Sequence, residues 1–140
     1  MIMLQKILSC PTSGEGDIID LTSRVQELVS QSGVMNGLCS IFVNGSTAAI
    51  TTIEFEPGVL KDLNRSLSVM APSDIGYAHD TRWGDGNGRS HVKAALVGPS
   101  LTIPILDRQM GLGTWQQIVL LELDTRARKD RKIIITVMGE

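Results

Sequence analysis

The 140-residue chain is 42% hydrophobic and 20% charged, the proportions of a globular protein with a core of its own. With 13 basic against 15 acidic residues its formal charge is -2, which removes the electrostatic ground for nucleic-acid binding. No apolar run is long enough to cross a bilayer, so a single domain over 1–140, without a membrane partner, is expected.

Strand propensity opens the chain at Ile2–Leu8. The segment MIMLQKILSC faintly resembles a lipoprotein signal ending at Cys10. Its lysine interrupts the apolar run and no cationic region precedes it, so it reads as the first strand. Pro11 and the Gly14–Gly16 turn end that strand. Leu21, Val25, Leu28 and Val29 then recur at helical spacing, with Asp20 or Thr22 as cap and Gly33 as stop. Leu38–Val43 and Ala48–Ile53 follow as strands, joined by Asn44-Gly45-Ser46, a strong hairpin signal.

Leu60, Leu63, Leu67 and Met70 define a second helix between Pro57 and Pro72. Residues 77–90 read as a polar loop in which Asp85-Gly86-Asn87-Gly88 supplies turn chemistry. Further strands are expected at His91–Val97, Leu101–Leu106, Trp115–Leu123 and Ile133–Met138. The order β-α-β-β-α-β-β-β-β, with short connections, predicts an α+β fold with mixed or antiparallel sheets and two helices. IVLLEL and KIIITV are apolar on both faces, so both faces need a cover: helices on one, and either another subunit or a sheet folded back on the other. Cys10 and Cys39 lack CxxC spacing and read as buried free thiols, which favours the cytoplasm.

Both histidines fall within YAHDTRWGDGNGRSHVKAALVG. On a strand, His91 and Lys93 share a face opposite Val92, Ala94 and Leu96. Closing that face over a cleft lets His79 reach in from the loop. Imidazole either moves a proton near neutral pH or ligates a metal, for which Asp80, Asp85 or Glu54 is the further donor. The bland alternative is a solvated, self-satisfied loop. Ser46 and Thr47 either present donors to an anion or belong to an ordinary hairpin. Trp115 reads as core or interface, and Gln116 as a hydrogen-bonding side chain for a polar ligand. RARKDRK at 126–132 is either a charged hairpin tip or a phosphate-binding rim.

The series Gly45-Ser46-Thr47-Ala48-Ala49-Ile50-Thr51, Glu54, Asp62, Tyr77-x-His79-Asp80, Asp85-Gly86-Asn87-Gly88-x-Ser90-His91 and Leu112-Gly113-Thr114-Trp115-Gln116 resembles the YjbQ family, uncharacterised protein family 0047. The resemblance covers nearly the whole chain. It implies a compact α+β subunit assembled as a homotrimer, and an activity of the thiamine-phosphate synthase kind. That reaction joins a pyrimidine methyl diphosphate to a thiazole phosphate and expels pyrophosphate, so the implied partner is a small phosphorylated molecule.

Carried over by residue, the resemblance assigns His79, His91, Glu54 and Asp80 to catalysis. Ser46, Thr47, Arg82, Asn87, Lys93 and Gln116 go to substrate binding, and His79, His91 and Asp85 to a divalent metal, magnesium or zinc. Many members have His-Thr-Thr or His-Thr-Ser at Gly45-Ser46-Thr47, so the usual three histidines are two here. A metal-assisted hydrolase and a non-catalytic, oligomeric anion-binding protein are the competing expectations.

Overall fold

The computed structural model describes residues 1–140. Its elements run β1 (Ile2–Cys10), β2 (Ile18–Asp20), α1 (Thr22–Ser32), β3 (Gly37–Asn44), β4 (Ala48–Ile53), α2 (Pro57–Met70), α3 (Ala78–Trp83), α4 (Gly88–Val97), β5 (Ser100–Leu106), β6 (Gln109–Met110), β7 (Gln117–Glu122) and β8 (Arg131–Gly139). Every strand pairing is antiparallel. The strands form two sheets, ordered β1-β8-β3-β5-β6 and β2-β7-β4.

Alternation along the strands builds the sandwich. Cys39, Ile41 and Val43 of β3 and Ile133, Ile135 and Val137 of β8 face the smaller sheet, where Ala48, Ile50, Ile118 and Leu120 meet them in one buried cluster. Val25 and Val29 of α1 are fully buried in the same cluster, so this helix fills the space between the sheets. The outer face of the smaller sheet is apolar as well. Val119 and Leu121 of β7 pack there with Ala49, under Leu67 of α2 and Ala94 of α4. Burying side chains of this size contributes about 1.5–3 kcal/mol each, which is why the helical layer lies on this sheet. The larger sheet has no such layer on its outer face.

The α+β class and antiparallel sheets are as expected, but the details differ in three ways. There are four helices, and α4 occupies the stretch expected as a strand at His91–Val97. Asn44-Gly45-Ser46 makes no hairpin: β3 and β4 lie in different sheets, and neither Asn44 nor Gly45 has a positive φ. Gly45 serves close approach instead, since a Cβ there would lie 2.7 Å from Nη1 of Arg131. The 126–132 segment is likewise no hairpin tip but a crossing between sheets, and its Arg131 is buried at 2% exposure. The two cysteines are buried free thiols, as expected, and burial pushes the Cys39 thiol up to about 11.

Candidate functional site

The site is the corner where α3 meets α4. Glycines Gly84 (φ 68°) and Gly86 (φ 73°) adopt left-handed backbone, which lets four residues reverse the chain between the helices. Gly88 opens α4 directly against Tyr77, where a Cβ would lie 2.5 Å from the Tyr77 Cβ. The Gly88 N–H donates to Asp80 Oδ1 at 2.8 Å and pins the two helices together. That hydrogen bond, opposed by partial burial and aided by His79, holds the Asp80 carboxyl below its usual range.

Those constraints bring the chain's two imidazoles together, with ring centroids 4.7 Å apart and planes tilted by 52°. His79 Nδ1 lies 3.2 Å from Asp80 Oδ1 and 3.4 Å from Asp85 Oδ1. Asp85 is itself fixed by accepting the Asn87 N–H at 3.0 Å. In the tautomer that carries its proton on Nδ1, the ring donates to these carboxylates and keeps its lone pair on Nε2. His91 lines a pocket of about 230 Å³ walled mainly by Ala48, Ala94, Ala95 and Pro99, with Ser46 as its other polar member and Gly45 beside it.

Beneath the corner runs a buried polar network. Asn87 Oδ1 accepts from Ser90 Oγ at 2.9 Å and from the Thr125 N–H at 3.0 Å, while Nδ2 donates to Asp124 at 3.3 Å. Asp124 also accepts from Thr47 Oγ1 and Arg128 Nη1, each at 3.0 Å. Burial alone would raise the Asp124 carboxyl, but the Arg126 N–H, Thr47, Asn87 and Arg128 together hold it low. Thr47 accepts from Arg131 Nη2 at 2.7 Å, and Arg131 closes on Glu122 through Nε at 2.7 Å and Nη2 at 2.5 Å.

Of the residues singled out in the sequence, His79, His91, Asp80 and Asp85 therefore meet, and Ser46 joins His91 at the pocket. Thr47 and Asn87 are buried in the network, where they position rather than touch a ligand. Arg82 is exposed, its guanidinium 5.9 Å from the Trp83 ring. Lys93 does not share a face with His91: on a helix, two residues are about 200° apart. Its ammonium lies instead beside Glu15, at 3.6 Å.

Glu54 stands six positions beyond the pocket residue Ala48, about 20 Å along an extended strand, and is solvent-exposed. Gln116 is at that same far end, next to the Ile53–Gln117 pair, and bonds Gly113 and Thr52. Trp115 is 71% exposed rather than core. Arg128 and Arg131 of the basic segment are tied to Asp124 and Glu122, which leaves Arg126, Lys129 and Lys132 free at its surface. The network residues Glu122 and Asp124 went unnoticed. Their one signal was a pair of acids at the end of an otherwise apolar run, IVLLELD.

Fold and site thus define a two-sheet α+β sandwich with a carboxylate-anchored histidine pair at a helix corner. Residues 6–140 match the family described as UPF0047 protein YjbQ-like. A UPF0047 protein of Methanothermobacter thermautotrophicus is 38% identical over 129 residues, covering 92% of this chain and 87% of that protein. A crystal structure from Sulfolobus solfataricus P2, described as a YbjQ-like protein of unknown function, superposes with a TM-score of 0.89 at 31% identity over 99% of each chain. A Clostridium acetobutylicum protein of the YjbQ/UPF0047 family gives 0.82 at 31% identity, over 96% of this chain and 99% of its own. The chain belongs to the YjbQ/UPF0047 family.

Proposed function

We propose that the His79–His91 pair is the reactive centre of a small-molecule enzyme that moves protons on a ligand seated in the adjoining pocket. The observation that carries this reading is the approach of the two imidazoles to 4.7 Å beside that pocket. Asp80 and Asp85 fix the His79 ring through Nδ1, and His91 faces the pocket as base or acid. The reaction to test first is the transfer implied by the family resemblance: a thiazole phosphate displacing pyrophosphate from a pyrimidine methyl diphosphate. In that reading Arg82, on the same helix as His79, would meet the leaving group, while the Lys93 ammonium lies beside Glu15 instead.

His91→Ala is expected to lower kcat by about 10²–10⁴-fold while the far-UV spectrum and Tm stay at the wild-type values. Undiminished turnover in that variant sinks the reading.

A second reading rests on one further observation. Ligand atoms of His79, Asp80 and Asp85 lie within 4.8 Å of one another, a three-donor set of the kind that leaves a metal an open position. Magnesium or zinc held there would supply an activated water or polarise a phosphate oxygen. Elemental analysis and a chelator titration separate the two: a stoichiometric metal with chelator-sensitive turnover favours this one.

The homotrimer expected from the resemblance belongs to the same proposal. The outer face of the larger sheet carries Met3, Met138 and Leu38 in one cross-strand row and Ile7, Ile134 and Phe42 in another. Ile7 is 62% and Leu38 47% exposed, and a second copy of the chain is the cover that face wants.

A further inference from the structure

Lys93 is the least expected charge in the molecule. It is 4% exposed, yet its nearest charged partner is Glu15 Oε2 at 3.6 Å, beyond hydrogen-bond length. Arg89 grips both Glu15 oxygens through Nε and Nη2 at 2.8 Å each, so Lys93 shares a carboxylate that already has a bidentate partner. That bidentate grip is what holds the Glu15 carboxyl below its usual range. An ammonium carries three donors, and this one has a single, shared carboxylate beside it, so a further acceptor would complete its shell.

Lys93 and Glu15 open on a pocket of about 220 Å³, shared with Asn64 and Ser68 of α2 and floored by Leu67 and Leu123. The Asn64 amide donates to the Gly16 carbonyl at 3.1 Å, which sets its orientation. Ser68 stands exposed on the same helix and lines this pocket. Arg89 and Lys93 share the Glu15 carboxylate, with Asp80 acting on Arg89 from further off, so Lys93 has less than a full counter-charge beside it. A water's share of liquid is about 30 Å³, so there is room for a group of roughly half a dozen heavy atoms.

We propose that this pocket is a binding site for a small oxyanion, a phosphate or carboxylate group, held by Lys93 with help from Ser68. It lies across α4 from the pocket that His91 lines and shares no lining residue with it. The site therefore stands whether or not the histidine pair is a catalytic centre.

Calorimetric titration of the full-length protein tests it, with inorganic phosphate, sulfate and acetate as separate probes at constant ionic strength. Wild-type protein is expected to bind at least one probe saturably, with a Kd of about 1 mM or tighter. Preference for phosphate and sulfate over acetate identifies a phosphate-type group, and the reverse a carboxylate. Lys93→Met removes the charge at similar length and should weaken binding at least about tenfold. Ser68→Asp puts a like charge at the pocket on an exposed helix position, where the fold tolerates it, and should weaken binding by a similar factor. His91→Ala should bind as wild type. No saturable binding of any probe overturns the proposal, as does wild-type affinity in a folded Lys93→Met or, where that variant does not fold, in Ser68→Asp.

Discussion

Arg131 lies wholly inside the protein, its guanidinium closed on Glu122, which is itself 0% exposed. Deleting one charge of such a pair leaves the other buried without compensation. Glu122→Gln is therefore expected to cost about 3–5 kcal/mol, read as a lower midpoint in urea unfolding. The neighbouring Asp124 sets a pH dependence. Its folded-state pKa is depressed, so its contribution is complete above the ordinary carboxylate range and is lost as pH falls through the depressed value. Asp124→Asn should be less stable than wild type at neutral pH and show a flatter acid limb in stability measured against pH.

Neither residue announces itself in sequence. Arg131 is the fourth of five basic residues between 126 and 132, a run that reads as a solvated surface. Only the long-range fold, which brings β8 beside Thr47 and Glu122, turns one of them inward.

At the scale of elements, α4 is where the reading of the sequence failed and where the site depends on it most. HVKAALV alternates polar and apolar over its first residues, which six positions cannot distinguish from a helix. The helical signals were present: Ser90, Ala94 and Val97 recur at helical spacing, two alanines favour helix, and Gly98 ends it. Ser90 and Ala94 are in fact buried, as are Gly88 and Lys93, and Val97 packs against the cluster that holds Ala94. Reading a strand there put Lys93 on the His91 face, and the helix separates the two. The turn glycines before it were legible, because DGNG chemistry is local.

Gly88 holds the helices at contact distance. Gly88→Ala should push α4 off Tyr77 and cost about 1–3 kcal/mol. It should also lower kcat beyond what the loss of stability explains, since the histidine rings separate; kinetics at a temperature well below the variant's Tm checks this.

For the whole molecule, class and pairing sense followed from short connections and strand composition. The division into two sheets did not. Its partners are remote: β1 pairs with β8 and β3 with both β8 and β5, and nothing local encodes such registers. Apolar residues on both faces of β7 did foretell a double cover, supplied by the larger sheet on one side and by α2 and α4 on the other. The uncovered face of the larger sheet carries the subunit proposal into a prediction. Phe42→Asp, central in that face at 40% exposure, should leave the protomer folded and shift the assembly to monomer in light scattering after size exclusion.

Because β8 is the middle partner between β1 and β3, the larger sheet lacks the strand that joins those two until residues 131–139 have been synthesised. A nascent polypeptide halted before residue 131 holds two strands with bare edges and an unfilled gap between them. The sandwich is thereby committed to closing late, through contacts between β1 and β8, which are far apart in the chain. Until then those bare edges are the places where a chaperone, or another unfinished copy, would attach.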